Sequence, residues 1–272
     1  MPLTKLFVEG QLEIQLFNPV FEGNPLVQQG GSKNALKPRT RAERSENGIA
    51  AGYLRDRDFD ANPPEDLAKP TIDAVEKSNP IGWRWCRHEI ENYLLEPRLV
   101  SEATGWPTEE IEGALLRAAS WIRDYQIARW AVGLIRRSLP PHYELRTRPD
   151  DLNEIDLPPA LDSASVNAWA LANISQFSER FTSKIQPDEI RELWEKHNRL
   201  FDPAFLADID RVLIWFSGKD LFAGLRQWLE QKRVHPGELR ALLRDWVIAH
   251  PARALELLPE WRGLVEVVRE AK

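Results

Sequence analysis

The chain has 272 residues, of which 43% are hydrophobic and 29% charged, and its formal net charge is −6. A chain of this length buries roughly three quarters of its unfolded surface, so it needs no disulfide to fold. No apolar run approaches the roughly 20 residues that cross a bilayer. The negative net charge excludes a protein that coats nucleic acid through a global positive field. Cys86 is the only cysteine, which excludes an internal disulfide and a zinc site built on thiolates.

The first hundred residues predict an α/β fold. Short runs of apolar, β-prone residues predict four strands, at residues 5–9, 25–28, 49–54 and 83–88. A helix is predicted between the first two strands and ends at Asn18–Pro19. This alternation predicts a Rossmann-like unit, with a small, mostly parallel sheet flanked by helices.

From about residue 101 the apolar positions switch to the spacing of three and four that is typical of helices. One long helix is predicted from Thr108 to Pro140–Pro141, followed by a polar linker up to Pro159. Two further helices are predicted at residues 160–182 and 187–198, the second with Asp188 as its N-cap. These helices make up a predicted helical lobe.

The strand pattern returns at Arg211–Phe216, and the stretch SGKD at residues 217–220 predicts a turn into another helix. Two final helices are predicted at residues 236–249 and 251–271. The predicted organisation has four parts: a first core segment, a helical insertion, a return of the core with its strand, and C-terminal helices. Their bounds are 1–100, 101–205, 206–235 and 236–272.

Three aspartates, Asp56, Asp58 and Asp60, follow the third predicted strand at alternate positions. In an extended segment this spacing points all three carboxylates to one side, where they repel one another unless a cation or hydrogen bonds neutralise them. A hard divalent cation bound by oxygen atoms is a direct solution, and Mg²⁺ fits best, with Mn²⁺ as the alternative. A solvated turn rich in aspartate is the structural alternative.

Glu9 ends the first predicted strand and is followed by Gly10. Because ligands of open α/β sheets bind beyond the carboxyl ends of the strands, we expect Glu9 to share a metal with Asp56 and Asp58. Glu13 lies four residues later, on the same side of the following helix, where it could hold a second ion. A surface glutamate is the alternative for Glu13.

Basic residues are concentrated just before the acidic segment. They are Lys33, Lys37, Arg39, Arg41 and Arg44. The segment predicts either a local channel for nucleic acid or a solvated basic loop. Lys33, Lys37 and Arg57 are the candidate substrate-binding residues.

The histidines show no spacing that pairs two of them on a helix as zinc ligands, so structural roles are predicted for all of them, His88 included. Core packing rather than base stacking is predicted for the tryptophans, among them Trp83, Trp121 and Trp130. The arginines of the long helix, Arg117 among them, form either a contact surface or a solvated face.

Two stretches resemble the Toprim domain of topoisomerases, primases and OLD (overcoming-lysogenization-defect) nucleases: LFVEG at residues 6–10 and LRDRDF at residues 54–59. Two others, EIENYLL at residues 89–95 and SGKD at residues 217–220, resemble an OLD-related family. That family includes the Toprim effector of the PARIS anti-phage system, which works with an ABC-type ATPase. The resemblance covers residues 1–100 and 211–225, and the helical lobe adds nothing to it.

The resemblance implies two metal ions and a basic residue at the scissile phosphate. The implied residues are Glu9 and Glu13 for one ion, and Asp56, Asp58 and Glu91 for the other. Lys219 is the basic residue implied near the scissile phosphate. Asp60 and Glu89 are further possible ligands. At the position of Glu89, however, OLD-type relatives tend to have a small polar residue. A solvent-facing glutamate is the alternative for Glu89, and a surface lysine at a helix start is the alternative for Lys219.

The resemblance also implies an Mg²⁺-dependent or Mn²⁺-dependent endonuclease that cleaves nucleic acid, either host tRNA or DNA, as an anti-phage effector. The chain has no Gly-x-x-x-x-Gly-Lys-Ser/Thr motif, so ATP hydrolysis would belong to a partner ATPase. The alternatives are a non-catalytic Toprim-like sensor or scaffold that binds nucleotide or the ATPase, and primase-like nucleotidyl transfer. A cytoplasmic location, no membrane contact and a possible homodimer are also expected.

Overall fold

The protein's structure, a computed structural model, describes residues 2–139, 160, 162–184 and 186–271. Within these residues one sheet of five strands is formed, in the order β2–β1–β3–β5–β4. The strands are β1 (Lys5–Val8), β2 (Leu26–Gln29), β3 (Ala51–Arg55), β4 (Thr71–Glu76) and β5 (Asn79–Arg84). All neighbouring strands are parallel except β4 and β5. The prediction of an α/β fold with a mostly parallel sheet is therefore confirmed.

Strand β4 was not predicted from the sequence. It lies at one edge of the sheet, and its apolar side chains Ile72 and Val75 are about half exposed, at 52% and 51%. Lys77 and Ser78 join it to β5 with positive φ angles of 47° and 69°, the backbone of a tight hairpin turn. Neither residue is the Asn or Gly that usually marks such a turn, so the sequence carried little signal for it.

Helices α1 (Gln11–Val20) and α2 (Lys33–Glu46) follow the first two strands. The first lies where it was predicted, but it does not end at Asn18–Pro19 and continues through Pro19 to Val20. The second was expected to be a channel or a basic loop. It is a helix because Leu36 and Thr40, four residues apart, are buried on one side while Lys37, Arg39 and Arg41 are exposed.

The other helices of the described residues follow in chain order. They are α3 (Glu91–Leu94), α4 (Pro97–Thr104), α5 (Thr108–Ser138), α6 (Ser163–Lys184), α7 (Pro187–Leu200), α8 (Pro203–Leu206), α9 (Ile209–Trp215), α10 (Gly218–Gly224), α11 (Arg226–Gln231), α12 (Pro236–Ala249), α13 (Pro251–Leu257) and α14 (Pro259–Glu270). Among the described residues, none of the helices has the length and apolar character needed to span a membrane.

The predicted return strand at Arg211–Phe216 is wrong, because these residues belong to α9 and the turn that follows it. The Asp208 side chain accepts a hydrogen bond from the Arg211 N–H at 3.2 Å, which caps the helix. The side chains of Val212 and Leu213 are fully buried. A short apolar run fits a buried strand and a buried helix equally well, and here the capping aspartate decides between them.

Smaller corrections concern the ends of strands and helices. The fourth predicted strand, 83–88, is β5, which begins earlier and ends at Arg84. Asp188 lies in the first turn of α7 rather than at its N-cap, since the helix begins at Pro187. The helix predicted at 251–271 is interrupted at Leu258, where Pro259 starts α14.

The chain divides into two compact units, Met1–Gln126 with Phe201–Lys272, and Ile127–Leu200. The first unit contains the sheet, whose core includes Phe7, Tyr53 and Ile81. In the second unit, Trp130 stacks on His197 with ring centroids 5.6 Å apart. The four-part division predicted from the sequence stays a prediction, and Pro140–Pro141 with the linker up to Pro159 lies outside the described residues.

Candidate metal centre

The carboxyl ends of β1, β3 and β5 meet at one edge of the sheet, because the three strands are parallel. Glu9 follows β1 and Asp56 follows β3 directly. Glu9 Oε1 accepts a hydrogen bond from the backbone N–H of Asp56 at 3.1 Å. The structure therefore brings together the ends of the two strands that the sequence singled out.

Six carboxylates lie around this edge and are called the acidic cluster here. They are Glu9, Glu13, Asp56, Asp58, Glu89 and Glu91. Asp56 is at the centre: its side chain is buried, and Oδ1 accepts a hydrogen bond from the Ile90 N–H at 3.1 Å. Burial, and then the charges of its carboxylate neighbours, raise the pKa of Asp56 well above its ordinary range.

Glu13 extends from the first turn of α1 and is buried, with 6% of its surface exposed. The surface alternative for Glu13 is therefore wrong. Burial, together with the nearby charges of Glu91 and Glu9, raises the pKa of Glu13 to about 7. Gly10 allows this approach, because a Cβ atom at that position would lie 3.1 Å from Glu13 Oε2.

The chain turns sharply after Asp56, so the prediction that the three aspartates form one extended segment is wrong. Asp58 has a positive φ of 47°, and its N–H donates to the carbonyl oxygen of His88 at 2.7 Å. Lys33, the first residue of α2, forms ion pairs with Asp58 and with Asp60, the latter at 2.8 Å. Asp60 also pairs with Arg55 at 2.9 Å, so its carboxylate is held by cations rather than directed at a metal.

Asp58, His88 and Glu89 have ligand atoms within 4.8 Å of one another, and this group could hold a metal ion. His88 is buried, its ring packs edge-on against Phe59 at 4.4 Å, and its Nδ1 lies 3.8 Å from Asp58 Oδ1. The sequence interpretation of His88 as purely structural missed this position. Its only signal was that His88 directly precedes the EIE stretch after β5.

Glu89 is buried, so its solvent-facing alternative is wrong. Its Oε1 accepts hydrogen bonds from Ser217 Oγ at 2.7 Å and from the Lys219 N–H at 2.8 Å, while Oε2 accepts one from Lys219 Nζ at 2.6 Å. Burial alone would raise the pKa of Glu89, but Lys219 and Ser217 outweigh it and lower the pKa. These bonds make Glu89 better suited to hold Lys219 than to bind an ion with both oxygens.

Glu91 faces two cations at longer range. Its Oε2 lies 3.4 Å from Lys219 Nζ, and its Oε1 lies 3.5 Å from Nη1 of Arg240 on α12. Burial and the charge of Glu89 raise the pKa of Glu91 despite these cations. Lys219 is itself 57% exposed, but its ammonium is directed at two carboxylates, whose charges raise its pKa although burial lowers it.

Asn92 fixes the distant SGKD stretch beside the acidic cluster. Its Nδ2 donates to the carbonyl oxygens of Leu213 at 2.9 Å and Phe216 at 2.8 Å, and its Oδ1 accepts from the Gly218 N–H at 3.1 Å. A Cβ atom at Gly218 would lie 2.6 Å from the backbone nitrogen of Asn92, so only glycine fits there. Asn92 was quoted in the family resemblance, yet no role was predicted for it.

The predicted substrate-binding role of Arg57 is not compatible with its position. The side chain has no exposed surface. It donates to the carbonyl oxygens of Cys86 at 2.9 Å, Ala61 at 2.8 Å and Ile214 at 2.5 Å. Arg57 therefore joins the loop after β3 to the loop after β5 and to α9.

Lys37 is exposed one turn after Lys33, and its predicted role in substrate binding stays a prediction.

The acidic cluster fits a hard divalent cation chemically. Four of its carboxylates, Glu13, Asp56, Glu89 and Glu91, are buried, and the pKa values of three of them are raised. A bound cation would offset the repulsion between these carboxylates and would be coordinated by their oxygen atoms, as Mg²⁺ and Mn²⁺ are in proteins. The imidazole of His88 is a donor that suits Mn²⁺ better than Mg²⁺.

Comparison of the sequence with protein-family models gives no match, and comparison with curated proteins gives none either.

Proposed function

We propose that the chain is a nuclease of the Toprim, OLD-like type that depends on Mg²⁺ or Mn²⁺. The observation that carries the proposal is the acidic cluster, in which several buried carboxylates share one sheet edge with the ammonium group of Lys219. Carboxylates buried side by side repel one another, and a divalent cation is the direct way to neutralise them. Oxygen-rich sites that also carry a lysine suit reactions of phosphate esters.

Glu9, Glu13, Asp56 and Glu91 are the residues that would hold the cation, with Asp58 and His88 beside them. When bound, the cation would activate water and stabilise negative charge on a phosphodiester. Lys219 would offset the charge that develops on the phosphoryl group, and Glu89 would hold its ammonium in place. Lys33 supplies a second ammonium on the Asp58 side.

The biological setting rests on the sequence resemblance. It supports a role as an anti-phage effector that a partner ATPase of the ABC or OLD type restrains or releases. Host tRNA and DNA are both candidate substrates. Such an effector has to be inactive until it is triggered, so cation binding and cleavage have to be measured separately.

One observation favours the alternative, a non-catalytic sensor or scaffold. Lys33 pairs with Asp58, and Lys219 pairs with Glu89, so part of the negative charge is already balanced by the protein's own cations. If these pairs persist in solution, the cluster would stabilise the fold without binding an ion. The two functions therefore differ in whether the chain binds Mn²⁺ at all.

The test is cleavage of three substrates, a mixed tRNA pool, single-stranded DNA and duplex DNA, with Mg²⁺ or Mn²⁺. Glu9→Gln and Asp56→Asn are expected to reduce cleavage at least about 100-fold, because each removes a charge that holds the cation. Glu46→Gln is the matched control, since it removes one exposed carboxylate at the end of α2 outside the cluster. Equal cleavage by all four proteins would contradict the proposal.

If the isolated chain cleaves none of the substrates, titration calorimetry with MnCl₂ decides. Binding that Asp56→Asn removes and Glu46→Gln retains would support a metal centre awaiting its activator. The lack of any Mn²⁺ binding would favour the scaffold.

A further inference from the structure

A groove of about 590 Å³ lies in the first unit, between α5 and the helices α10 and α11. Its volume is within the roughly 300–1,000 Å³ range of small-molecule sites. Trp121, on one wall, is 76% exposed, which contradicts the prediction that it packs in the core. An indole this exposed adds apolar surface to the solvent-facing side of α5, and it provides a flat surface on which a ring can stack.

Small residues form the floor of the groove. Ala114, Ala118 and Gly224 line it, and a Cβ atom at Gly224 would lie 3.1 Å from the Cβ of Ala118. Glycine therefore lets the end of α10 approach α5 closely. The larger side chains are left to form the two walls.

Several contacts hold the α11 side of the groove in place. Trp228 on α11 donates a hydrogen bond from Nε1 to Glu110 Oε1 at 3.2 Å. Its ring packs edge-on against Trp106 with centroids 5.1 Å apart. Lys232 pairs with Glu110 at 2.6 Å and lies over both indole rings. A wall fixed in this way keeps its shape before a ligand binds, which reduces the entropy lost on binding.

The groove also carries positive charge. Arg117 lies one turn before Trp121 on α5, and Arg226 is the first residue of α11; both line the groove and are exposed. Glu230 also lines the groove and offsets one of these charges. Aromatic rings next to guanidinium groups are the combination that binds bases and phosphates of single-stranded nucleic acid. The bases of a duplex are already stacked and paired, so they cannot offer a face to Trp121.

Helix α10 connects the groove to the acidic cluster. Its second residue, Lys219, contacts Glu89, and its last residue, Gly224, lines the groove. The rise of an α-helix puts Gly224 roughly 8 Å from Lys219 along the axis. We propose that the groove binds an unstacked nucleotide of a single-stranded segment next to the bond that is cut, with the base on Trp121 and a phosphate at Arg117. This inference rests on the proposed nuclease function.

The test is fluorescence anisotropy with labelled eight-nucleotide RNA, eight-nucleotide DNA and the corresponding DNA duplex, in EDTA so that nothing is cleaved. Trp121→Ala is expected to weaken single-strand binding roughly 5- to 150-fold, the loss typical of one base stacked on an aromatic ring. Trp121→Phe is expected to retain part of the affinity. Trp169→Ala, which removes another partly exposed tryptophan outside the groove, is expected to bind as the unchanged chain does.

A second measurement tests the phosphate contact. Arg117→Gln is expected to lower the slope of log affinity against log salt concentration by about 0.7, the value for one phosphate contact on a single strand. Melting temperatures of all variants are compared first, since an exposed side chain such as Trp121 should not affect folding. Tighter binding of RNA than of DNA would indicate that a 2′-hydroxyl is also contacted, and would support the same groove.

The groove proposal is overturned if Trp121→Ala binds single strands as well as the unchanged chain does, or if the duplex binds more tightly than either single strand. The two proposals fail separately. A chain that binds single strands through Trp121 but neither cleaves them nor binds Mn²⁺ contradicts the nuclease and supports single-strand binding at the groove. A chain that cleaves, and whose single-strand affinity does not depend on Trp121, supports the nuclease and contradicts the groove.

Discussion

Two regions of the first unit bury carboxylates in opposite ways. In the acidic cluster, Asp56 accepts one hydrogen bond, from the Ile90 N–H, while several other carboxylates surround it. At the start of α14, Glu260 is 5% exposed and accepts hydrogen bonds from the Cys86 N–H at 2.7 Å and from the Tyr93 hydroxyl. One carboxylate lies among like charges, and the other lies among its own donors.

The difference is the one expected between a carboxylate kept for a proposed function and a carboxylate that stabilises the fold. Burial raises the pKa of both groups, but the neighbours act in opposite directions. The donors Tyr93 and Cys86 lower the pKa of Glu260, whereas the carboxylates around Asp56 raise its pKa further. A carboxylate that has its own donors joins β5, α3 and α14. A carboxylate surrounded by others reduces stability unless a ligand compensates, and such clusters are characteristic of functional sites.

The largest effect is expected for Glu260→Ala. The substitution leaves the buried Cys86 N–H and Tyr93 hydroxyl without their acceptor and opens a cavity, so the free energy of unfolding should fall by about 3–5 kcal/mol. Urea denaturation measures this loss. Glu266→Ala, an exposed position on the same helix, should change stability by less than about 0.5 kcal/mol. A loss below about 1 kcal/mol at Glu260 would mean that this carboxylate does not join the elements around it.

The next effect concerns stabilisation by Mn²⁺. A cation at 100 times its dissociation constant adds about 2.7 kcal/mol to the stability of the state that binds it. For a chain of this size, that corresponds to a rise in melting temperature of roughly 5–10 °C. Asp56→Asn should abolish the rise and should not lower the melting temperature without cation, because asparagine keeps the oxygen that accepts from Ile90 and removes one repelling charge.

Two controls sharpen the cation measurement. Glu46→Gln should retain the full rise, since it changes a carboxylate outside the cluster. A melting temperature that does not respond to Mn²⁺ in the unchanged chain, or that responds equally in Asp56→Asn, would remove the contrast between the two regions.

The strand ends of the acidic cluster could be predicted from the sequence because their signals are local. A β-prone run that stops at Glu9–Gly10, and another that stops at Asp56, indicate where each strand ends. Parallel pairing then brings the two ends together. His88 and Asn92 could not be found in this way, because their roles depend on loops and on helices more than a hundred residues later.

The wrong predictions have physical reasons of the same kind. Arg57, between two aspartates, looked like an exposed substrate contact, and its carbonyl partners at Cys86 and Ile214 come together only in the fold. The run VLIWF at residues 212–216 contains no polar residue, so its hydrophobic pattern is compatible with a buried strand and with a buried helix. Core packing was predicted for Trp121 because it is a tryptophan within a predicted helix, but that side chain is exposed.

The smallest effect is a pH dependence at Glu260. Because burial raises its pKa above the unfolded value, the folded state binds the proton more tightly, so this group's contribution to stability is complete at low pH and is lost as the pH rises through the folded pKa. Glu260→Gln stays neutral, keeps an oxygen for the Cys86 N–H and can donate its amide to Tyr93. Its stability relative to the unchanged chain should therefore improve between pH 5 and pH 8. Urea denaturation of both proteins at the two pH values measures this change.

The acidic cluster titrates equally in both proteins, so its contribution cancels in the difference. A relative stability that stays constant or falls as the pH rises would show that Glu260 is ionised as readily in the fold as in the unfolded chain.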